Sequence, residues 1–252
     1  MAGQYSGRHA IVTGAGSGVG AAVALALAEA GATVTIVGRR LAALEDVARA
    51  NIHLIPAAAD VTDARSLRQA IDAAVAKVGP ASIVVANAGA AESAPFSRTT
   101  PEVFRATIEV NLTGVFNTFQ AGLAKMAPGG RLIAIASTAA LKGYPYVSAY
   151  CAAKHGVVGL VRSLALELAT TGTTVNAICP GYTETPMLER SLDNIVARTG
   201  RSRTEAEAML KAGNPQKRFI QPREIAETVT WLCSEAAASV TGQAISISGG
   251  ET

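Results

Sequence analysis

A chain of 252 residues with a formal net charge of +3 is long enough for one α/β core, and it lacks the basic face with interleaved aromatics that would mark a nucleic-acid binder. Its 49% apolar and 4% aromatic content goes with Ala/Val/Gly-rich helices packed on buried strands and excludes a disordered chain. No apolar run reaches the roughly 20 residues of a spanning helix, and no charged segment followed by an apolar run opens the sequence, so a cytoplasmic protein without a membrane partner is expected.

In chain order, short β-branched apolar runs alternate with longer Ala/Leu-rich stretches of helical period. The runs predict strands at 9–12, 33–37, 52–57, 82–86, 131–136, 174–178 and 244–247; the periodic stretches predict helices at 18–30, 41–50, 63–78, 101–126, 148–170 and 222–234. Such alternation specifies βαβ units. The expected fold class is therefore α/β, a Rossmann-type doubly wound parallel sheet of about seven strands with helices on both faces, in one domain over 1–252. Residues 185–213 depart from the rhythm, being charged, helical in propensity and flanked by Pro186 and Pro215; they are expected to form a small helical substrate lid.

Cys151, Cys179 and Cys233 are odd in number and far apart, which gives neither a disulfide framework nor a metal knuckle, so they read as small buried hydrophobes. His9, His53 and His155 show no metal-ligand spacing, and no metal site is expected.

The first chemical signal is the run Thr13-Gly14-Ala15-Gly16-Ser17-Gly18-Val19-Gly20, directly after the first strand and before an Ala-rich helix. Residues without a Cβ let the loop turn sharply and let its backbone approach a pyrophosphate, while the helix N-terminus offers free N–H groups and positive dipole. Counted from Gly14, the strict GxGxxG form fails because Val19 takes its last position; the strand–loop–helix order still points to dinucleotide binding through Gly14, Ser17, Gly18, Val19 and Gly20. At the end of the second strand, where a carboxylate would hold the ribose hydroxyls of NAD, stand Arg39 and Arg40. A guanidinium suits the extra phosphate of NADP(H), which is expected over NAD(H), although two arginines also suit the solvated start of a helix. Asp60 and Val61 follow the third strand, where the adenine ring would lie.

The catalytic signal is Tyr150 four residues before Lys154, with Ser137 thirteen residues before Tyr150. The i, i+4 spacing puts Tyr150 and Lys154 on one helix face. A nearby ammonium is expected to draw the phenol down from its ordinary pKa toward the working range, so that Tyr150 serves as acid or base. Ser137 would hydrogen-bond the substrate oxygen as charge develops on it.

The chain resembles the short-chain dehydrogenase/reductase family over essentially its whole length. The resemblance rests on the run Thr13–Gly20, Asp60 and Val61, the Ala86, Asn87, Ala88 and Gly89 segment, Asn111, Ser137, Tyr150 with Lys154, and Pro180 and Gly181 followed by Thr185, all in the family's usual order. It implies that Asn87, Ala88 and Gly89 flank the adenosine half of the cofactor; the family more often has Asn where this chain has Ala86. It also implies that Asn111 holds a water in a proton relay from Lys154, that Lys154 and Tyr150 also touch the nicotinamide ribose, and that Pro180, Gly181, Thr183 and Thr185 face the nicotinamide and pyrophosphate.

The implied activity is hydride transfer between NADP(H) and a small-molecule ketone or secondary alcohol. Residues 149–168, 175–187 and 218–250 look like the 3-oxoacyl thioester, polyketide and 3-hydroxybutyrate branches, so a 3-oxoacyl substrate is expected between walls at 90–96, 138–147 (with Tyr144 and Tyr146) and 182–213 (with Met187 and Leu188). The family also implies a homotetramer built on the helices at 101–126 and 148–170 and on the last helix and strand; the small face Ala152, Ala153, Gly156, Val157, Gly159 and Leu160 suits it, and suits packing inside the domain equally. The competing readings are an NAD-dependent dehydrogenase of a secondary alcohol or 3-hydroxyacid, a non-catalytic NADP(H) sensor and a scaffold. The intact glycine, serine, tyrosine and lysine positions speak against the last two.

Overall fold

The computed structural model of the protein describes residues 3–252. The apolar runs become seven strands: β1 (His9–Thr13), β2 (Thr33–Gly38), β3 (Leu54–Ala58), β4 (Ala81–Ala86), β5 (Met126–Ile135), β6 (Thr174–Pro180) and β7 (Ala244–Ile247). They form one sheet in the order β3-β2-β1-β4-β5-β6-β7, every neighbouring pair parallel. Chain order reverses between β1 and β4, and in such sheets ligands bind in the crevice that opens there beyond the carboxyl ends.

Nine α-helices are present among the described residues: α1 (Gly18–Glu29), α2 (Leu41–Ala48), α3 (Ala64–Val78), α4 (Pro101–Ile108), α5 (Gly114–Leu123), α6 (Ser148–Leu168), α7 (Pro186–Thr199), α8 (Arg203–Lys211) and α9 (Pro222–Leu232). Neighbouring residues of a strand point to opposite faces, so Val12 joins one core layer and Ile11 the other. Val23 and Leu27 of α1, Leu44 of α2, and Ile225 and Val229 of α9 cover the Val12 face. Leu67 and Ile71 of α3, Val115 and Phe119 of α5, and Val157 and Val161 of α6 cover the Ile11 face. Each fully buried branched side chain stabilises the fold by about 1.5–3 kcal/mol, which is why the central strands read as unbroken apolar runs. None of the helices is long and apolar enough to cross a membrane.

Several expected elements differ in their bounds. The helix predicted over 101–126 is α4 and α5 joined by a π turn, Glu109–Thr113. At its centre the side-chain Nδ2 of Asn111 donates to Thr107 O at 2.9 Å, taking the carbonyl that the Asn111 backbone N–H would bond in a regular α-helix. The strand predicted from 131 begins at Met126, which pairs with Ala81. That predicted from 52 begins at Leu54, leaving Ile52 92% exposed. The helix predicted to 170 ends at Leu168 and tightens into a 3-10 turn before Gly172, whose φ of 73° terminates it. Residues 185–213 hold α7 and α8, with Thr185 as the N-cap of α7, Pro186 in its first turn, and a small cluster of Leu188, Leu192 and Ala206 closed by Phe219 from beyond α8. Of the small α6 face, Ala153 and Val157 are buried within this chain and Gly156 faces Leu112, whereas Ala152 and Gly159 are exposed.

The amino ends of the strands are tied by polar groups. Tyr5 Oη donates to Thr230 O at 2.5 Å, and Arg8 donates to Ser82 Oγ at 3.2 Å and to Cys233 O at 2.9 Å. His9 lies between Gly79 O at 2.8 Å and Thr35 Oγ1 at 2.9 Å; burial pushes its pKa below the ordinary value, so the neutral ring donates from Nδ1 and accepts at Nε2. Buried Arg131 donates to Gly129 O and Gly130 O at 2.6 and 3.0 Å.

Candidate active site

The glycine run occupies the mouth of the β1/β4 crevice. Gly14 adopts φ 68°, and a Cβ there would stand 2.7 Å from Ala88 Cα; one on Gly20 would stand 2.5 Å from Gly14 O. Asn87 locks this approach, donating from Nδ2 to Thr13 O at 3.0 Å and to Gly14 O at 3.2 Å, while its backbone N–H donates to Thr13 Oγ1 at 3.1 Å. Ser17 is the N-cap of α1 and is exposed, but its hydroxyl makes no cap hydrogen bond. The first turn of α1, including Gly18 and Val19, therefore keeps donors and positive dipole facing outward, which fits a pyrophosphate.

The segment after β6 closes over the same point. Gly181 N–H donates to Ile247 O at 3.0 Å, Thr183 Oγ1 to Gly181 O at 2.9 Å, and Thr185 Oγ1 to Thr183 O at 3.1 Å. The Thr185 methyl lies 3.2 Å from where a Gly18 Cβ would be, so of this segment Thr185 borders the glycine loop, whereas Gly181 faces Ser248 and Glu251. Arg39 and Arg40 are both exposed beyond β2, and neither joins an ion pair among the described residues. Asp60 accepts two bonds from Thr62, at 2.9 and 2.8 Å. Partial burial raises its pKa, but those two bonds and the Arg39 charge outweigh it and leave the carboxyl below its ordinary range. Val61 is buried, and its carbonyl accepts from Asn117 at 2.8 Å.

Ser137, Tyr150 and Lys154 meet where β5 ends and α6 begins. Ser137 Oγ accepts from Ala139 N–H at 3.1 Å as the N-cap of a 3-10 turn, Thr138–Ala140; that leaves its own proton for a partner. Tyr150 is partly exposed. Lys154 is buried at 3% exposure, donates to Ile135 O at 2.9 Å and lies 5.6 Å from the centre of the Tyr150 ring. Burial pushes the Tyr150 phenol up to about 12 against the lowering effect of Ser137, and pushes Lys154 down to about 8. The ammonium was expected to dominate and lower the tyrosine; instead it is turned to Ile135 O, and loss of water decides the sign.

Asn111 is fully buried, with Nδ2 donating to Ala90 O at 2.8 Å and to Thr107 O, and Oδ1 accepting from Ala90 N–H at 3.2 Å. A Cβ on Gly89 would stand 2.8 Å from Asn111 Oδ1 and 3.7 Å from Lys154 Nζ. The bare glycine thus leaves a space shared by the amide and the ammonium. On the substrate side, Ala94 N–H donates to Tyr146 O at 2.8 Å and Arg198 Nη1 to Ser93 O at 2.9 Å, so the 90–96 loop is tied to the 138–147 loop and to α7. Leu188, expected as a wall, is turned into the α7/α8 cluster. One buried carboxylate beside these walls, Glu251, had no motif or spacing to announce it; its contact with Tyr144 crosses 107 positions of sequence.

A glycine cradle at the switch point, a serine, tyrosine and lysine cluster on the same rim and the findings that follow define the protein as an oxidoreductase of a class that works with a nicotinamide cofactor. The family model described as Enoyl-(Acyl carrier protein) reductase matches residues 14–252. A protein of Streptomyces coelicolor provisionally named a ketoacyl reductase is 36% identical over 211 residues, 82% of this chain and 81% of its own. The D-beta-hydroxybutyrate dehydrogenase of Rhizobium meliloti is 36% identical over 198 residues, 77% of this chain and 76% of its own. A solved structure of a variant actinorhodin polyketide ketoreductase with NADPH superposes with a TM-score of 0.92 at 36% identity, covering 100% of this chain and 99% of that one. The chain belongs to the short-chain dehydrogenase/reductase family.

Proposed function

We propose that the protein is an NADP(H)-dependent reductase of 3-oxoacyl thioesters or closely related ketones. The observation that carries this reading is the meeting of Ser137, which caps the turn after β5, with Tyr150 and Lys154 on one face of α6, Lys154 Nζ standing 5.6 Å from the centre of the Tyr150 ring. A protonated tyrosine so placed serves as general acid toward a carbonyl oxygen, and as base in the reverse direction.

The glycine loop with Gly14, Ser17, Gly18, Val19 and Gly20 would hold the pyrophosphate, and Asp60 with Val61 and Asn87 to Gly89 the adenosine. Pro180, Gly181, Thr183 and Thr185, with Tyr150 and Lys154, would border the nicotinamide and its ribose. When bound, the cofactor supplies the hydride. Ser137 donates its free proton as a hydrogen bond to the ketone oxygen, opposing the negative charge that develops there. Tyr150 transfers its proton to that oxygen. Lys154 lies next to reload it, and Asn111 would hold a water in that relay. The exposed, unpaired Arg39 and Arg40 support NADP(H) through charge-assisted bonds to its extra phosphate. Residues 185–213 act as a lid within one domain, with α7 held to the 90–96 loop by Arg198. The exposed Ala152 and Gly159 support a homotetramer contact along α6, which gel filtration tests.

The test is cofactor oxidation with acetoacetyl-CoA, run with NADPH and NADH on wild type and Tyr150→Phe. Turnover that needs Tyr150 and favours NADPH is expected; NADH preferred over NADPH would move the protein to the second reading, an NAD-dependent 3-hydroxyacid dehydrogenase, whose substrate class the name of the Rhizobium meliloti relative supports. Arg39→Ala separates the two further, since it lowers NADPH affinity and leaves NADH affinity alone if Arg39 holds the phosphate.

A further inference from the structure

Glu251 is a carboxylate that the reductase reading leaves without work. It lies in the segment after β7 with its side chain only 5% exposed, a placement that is costly unless its oxygens are paired. Oε1 takes two donors, the Tyr144 hydroxyl at 2.7 Å and the Lys142 ammonium at 2.9 Å. Lys142 Nζ also stands 4.9 Å from the centre of the Tyr144 ring, so acid, base and phenol form one closed unit. Two glycines make room for it: a Cβ on Gly213 would be 3.1 Å from Oε1, and one on Gly181 would be 3.5 Å from Oε2. The carboxylate therefore sits between the segment after β6, the end of α8 and the loop after β5.

One more hydroxyl carries this unit to the site. A phenol has a single proton; with it committed to Glu251, Tyr144 Oη is the acceptor for the Thr138 hydroxyl 2.7 Å away. Thr138 opens the 3-10 turn that Ser137 caps. On the other side, Tyr144 meets Tyr182 edge to face at 6.5 Å. An unbroken polar path thus runs from Glu251 to the backbone that aims Ser137.

We propose that Glu251 is a positioning residue for carbonyl reduction, fixing through Tyr144 and Thr138 the turn that presents Ser137 to the substrate oxygen. The inference rests on the role given to Ser137 above. Without the carboxylate, Tyr144 and Lys142 lose their shared acceptor, the 138–144 loop gains freedom, and the Ser137 hydroxyl is spread over several directions. Misplacing a reacting group by about 1 Å costs up to about 100-fold in rate.

The experiment compares Glu251→Ala, Glu251→Gln, Tyr144→Phe and the double variant Glu251→Ala/Tyr144→Phe, reading kcat, NADPH affinity and Tm. Glu251→Ala is expected to lower kcat by about tenfold or more with NADPH affinity unchanged. Glu251→Gln, whose amide oxygen still accepts from Tyr144, restores most of the rate. Tyr144→Phe loses as much as Glu251→Ala, and the double variant loses no more than either, because the two act along one path. Losses that multiply in the double variant, or a lower Tm in Glu251→Ala at unchanged kcat, overturn the proposal. Fluorine NMR of fluorotyrosine-labelled protein gives a readout without turnover: the Tyr144 resonance, identified by its absence in Tyr144→Phe, moves in Glu251→Ala, and an unmoved resonance also overturns the proposal. A wild type inert toward every ketone while that resonance moves would instead sink the reductase reading, and the catalytic part of this inference with it, leaving the hold of Glu251 on Tyr144 intact.

Discussion

Tyr150 and Lys154 are perturbed in opposite directions by the same loss of water, and each shift has a consequence in pH. With the phenol near 12 and the ammonium near 8, the free protein carries both protons at neutral pH. We expect kcat/KM for ketone reduction, which reports free-enzyme ionisations, to hold level and then fall as pH rises past about 8, where Lys154 gives up its charge. Tyr150→Phe should cost roughly a thousandfold in single-turnover reduction while the protein stays folded. Stability carries a second signature of Lys154. Its folded value of about 8 lies below the ordinary 10.5, so between those two values the unfolded chain binds more protons and stability rises with pH. Measured against Lys154→Met, the Tm of wild type should climb over that window; a flat difference would refute the burial of the charge. The pairing of Tyr150 with Lys154 was legible from a spacing of four, since spacing fixes which side chains share a helix face. The sign of the tyrosine shift was not, because it depends on how deeply the phenol is enclosed and on the ammonium's choice of Ile135 O.

Among elements, the loop between β1 and α1 has the least tolerance. Gly20→Ala would place its methyl against Gly14 O and the Asn87 amide; the amide cannot retreat without releasing Thr13 O, nor Gly14 O without breaking its bond to Asn87. We expect it to abolish dinucleotide binding, followed by NADPH fluorescence, and to destabilise the protein by about 1–3 kcal/mol in urea. The glycine run was legible because a strand, a loop without side chains and a helix leave a fixed order in sequence. The break between α4 and α5 was not, since the apolar period runs on through Leu112, Val115 and Phe119 and only the Asn111 side chain bonding backward reveals the π turn. Nor did the turning of Leu188 away from the cleft show: whether a leucine in a two-helix segment faces its own partner helix or a pocket depends on the angle between elements, which periodicity does not hold.

At the scale of the molecule, the sheet was legible almost strand for strand, because strands buried on both faces must be apolar throughout and the helices between them must not be. Contacts between segments far apart, such as Tyr144 with Glu251 or Tyr5 with Thr230 across 225 positions, left no pattern to read. Removing the latter hydroxyl in Tyr5→Phe leaves the half-buried Thr230 carbonyl near the end of α9 with only the Cys233 N–H at 3.1 Å, and we expect chemical denaturation to show a loss of about 1 kcal/mol with no change in cofactor affinity. A sheet whose strands all run the same way also sorts the chain's loops: those that bind and react leave the carboxyl ends, while Tyr5, Arg8, His9 and Arg131 belong to the other rim. The turn before β3, where Ile52 stands 92% exposed, lies on that other rim. A peptide tag or reporter spliced between Asn51 and Ile52 would ride there as cargo, with the sheet's full depth between it and the working loops.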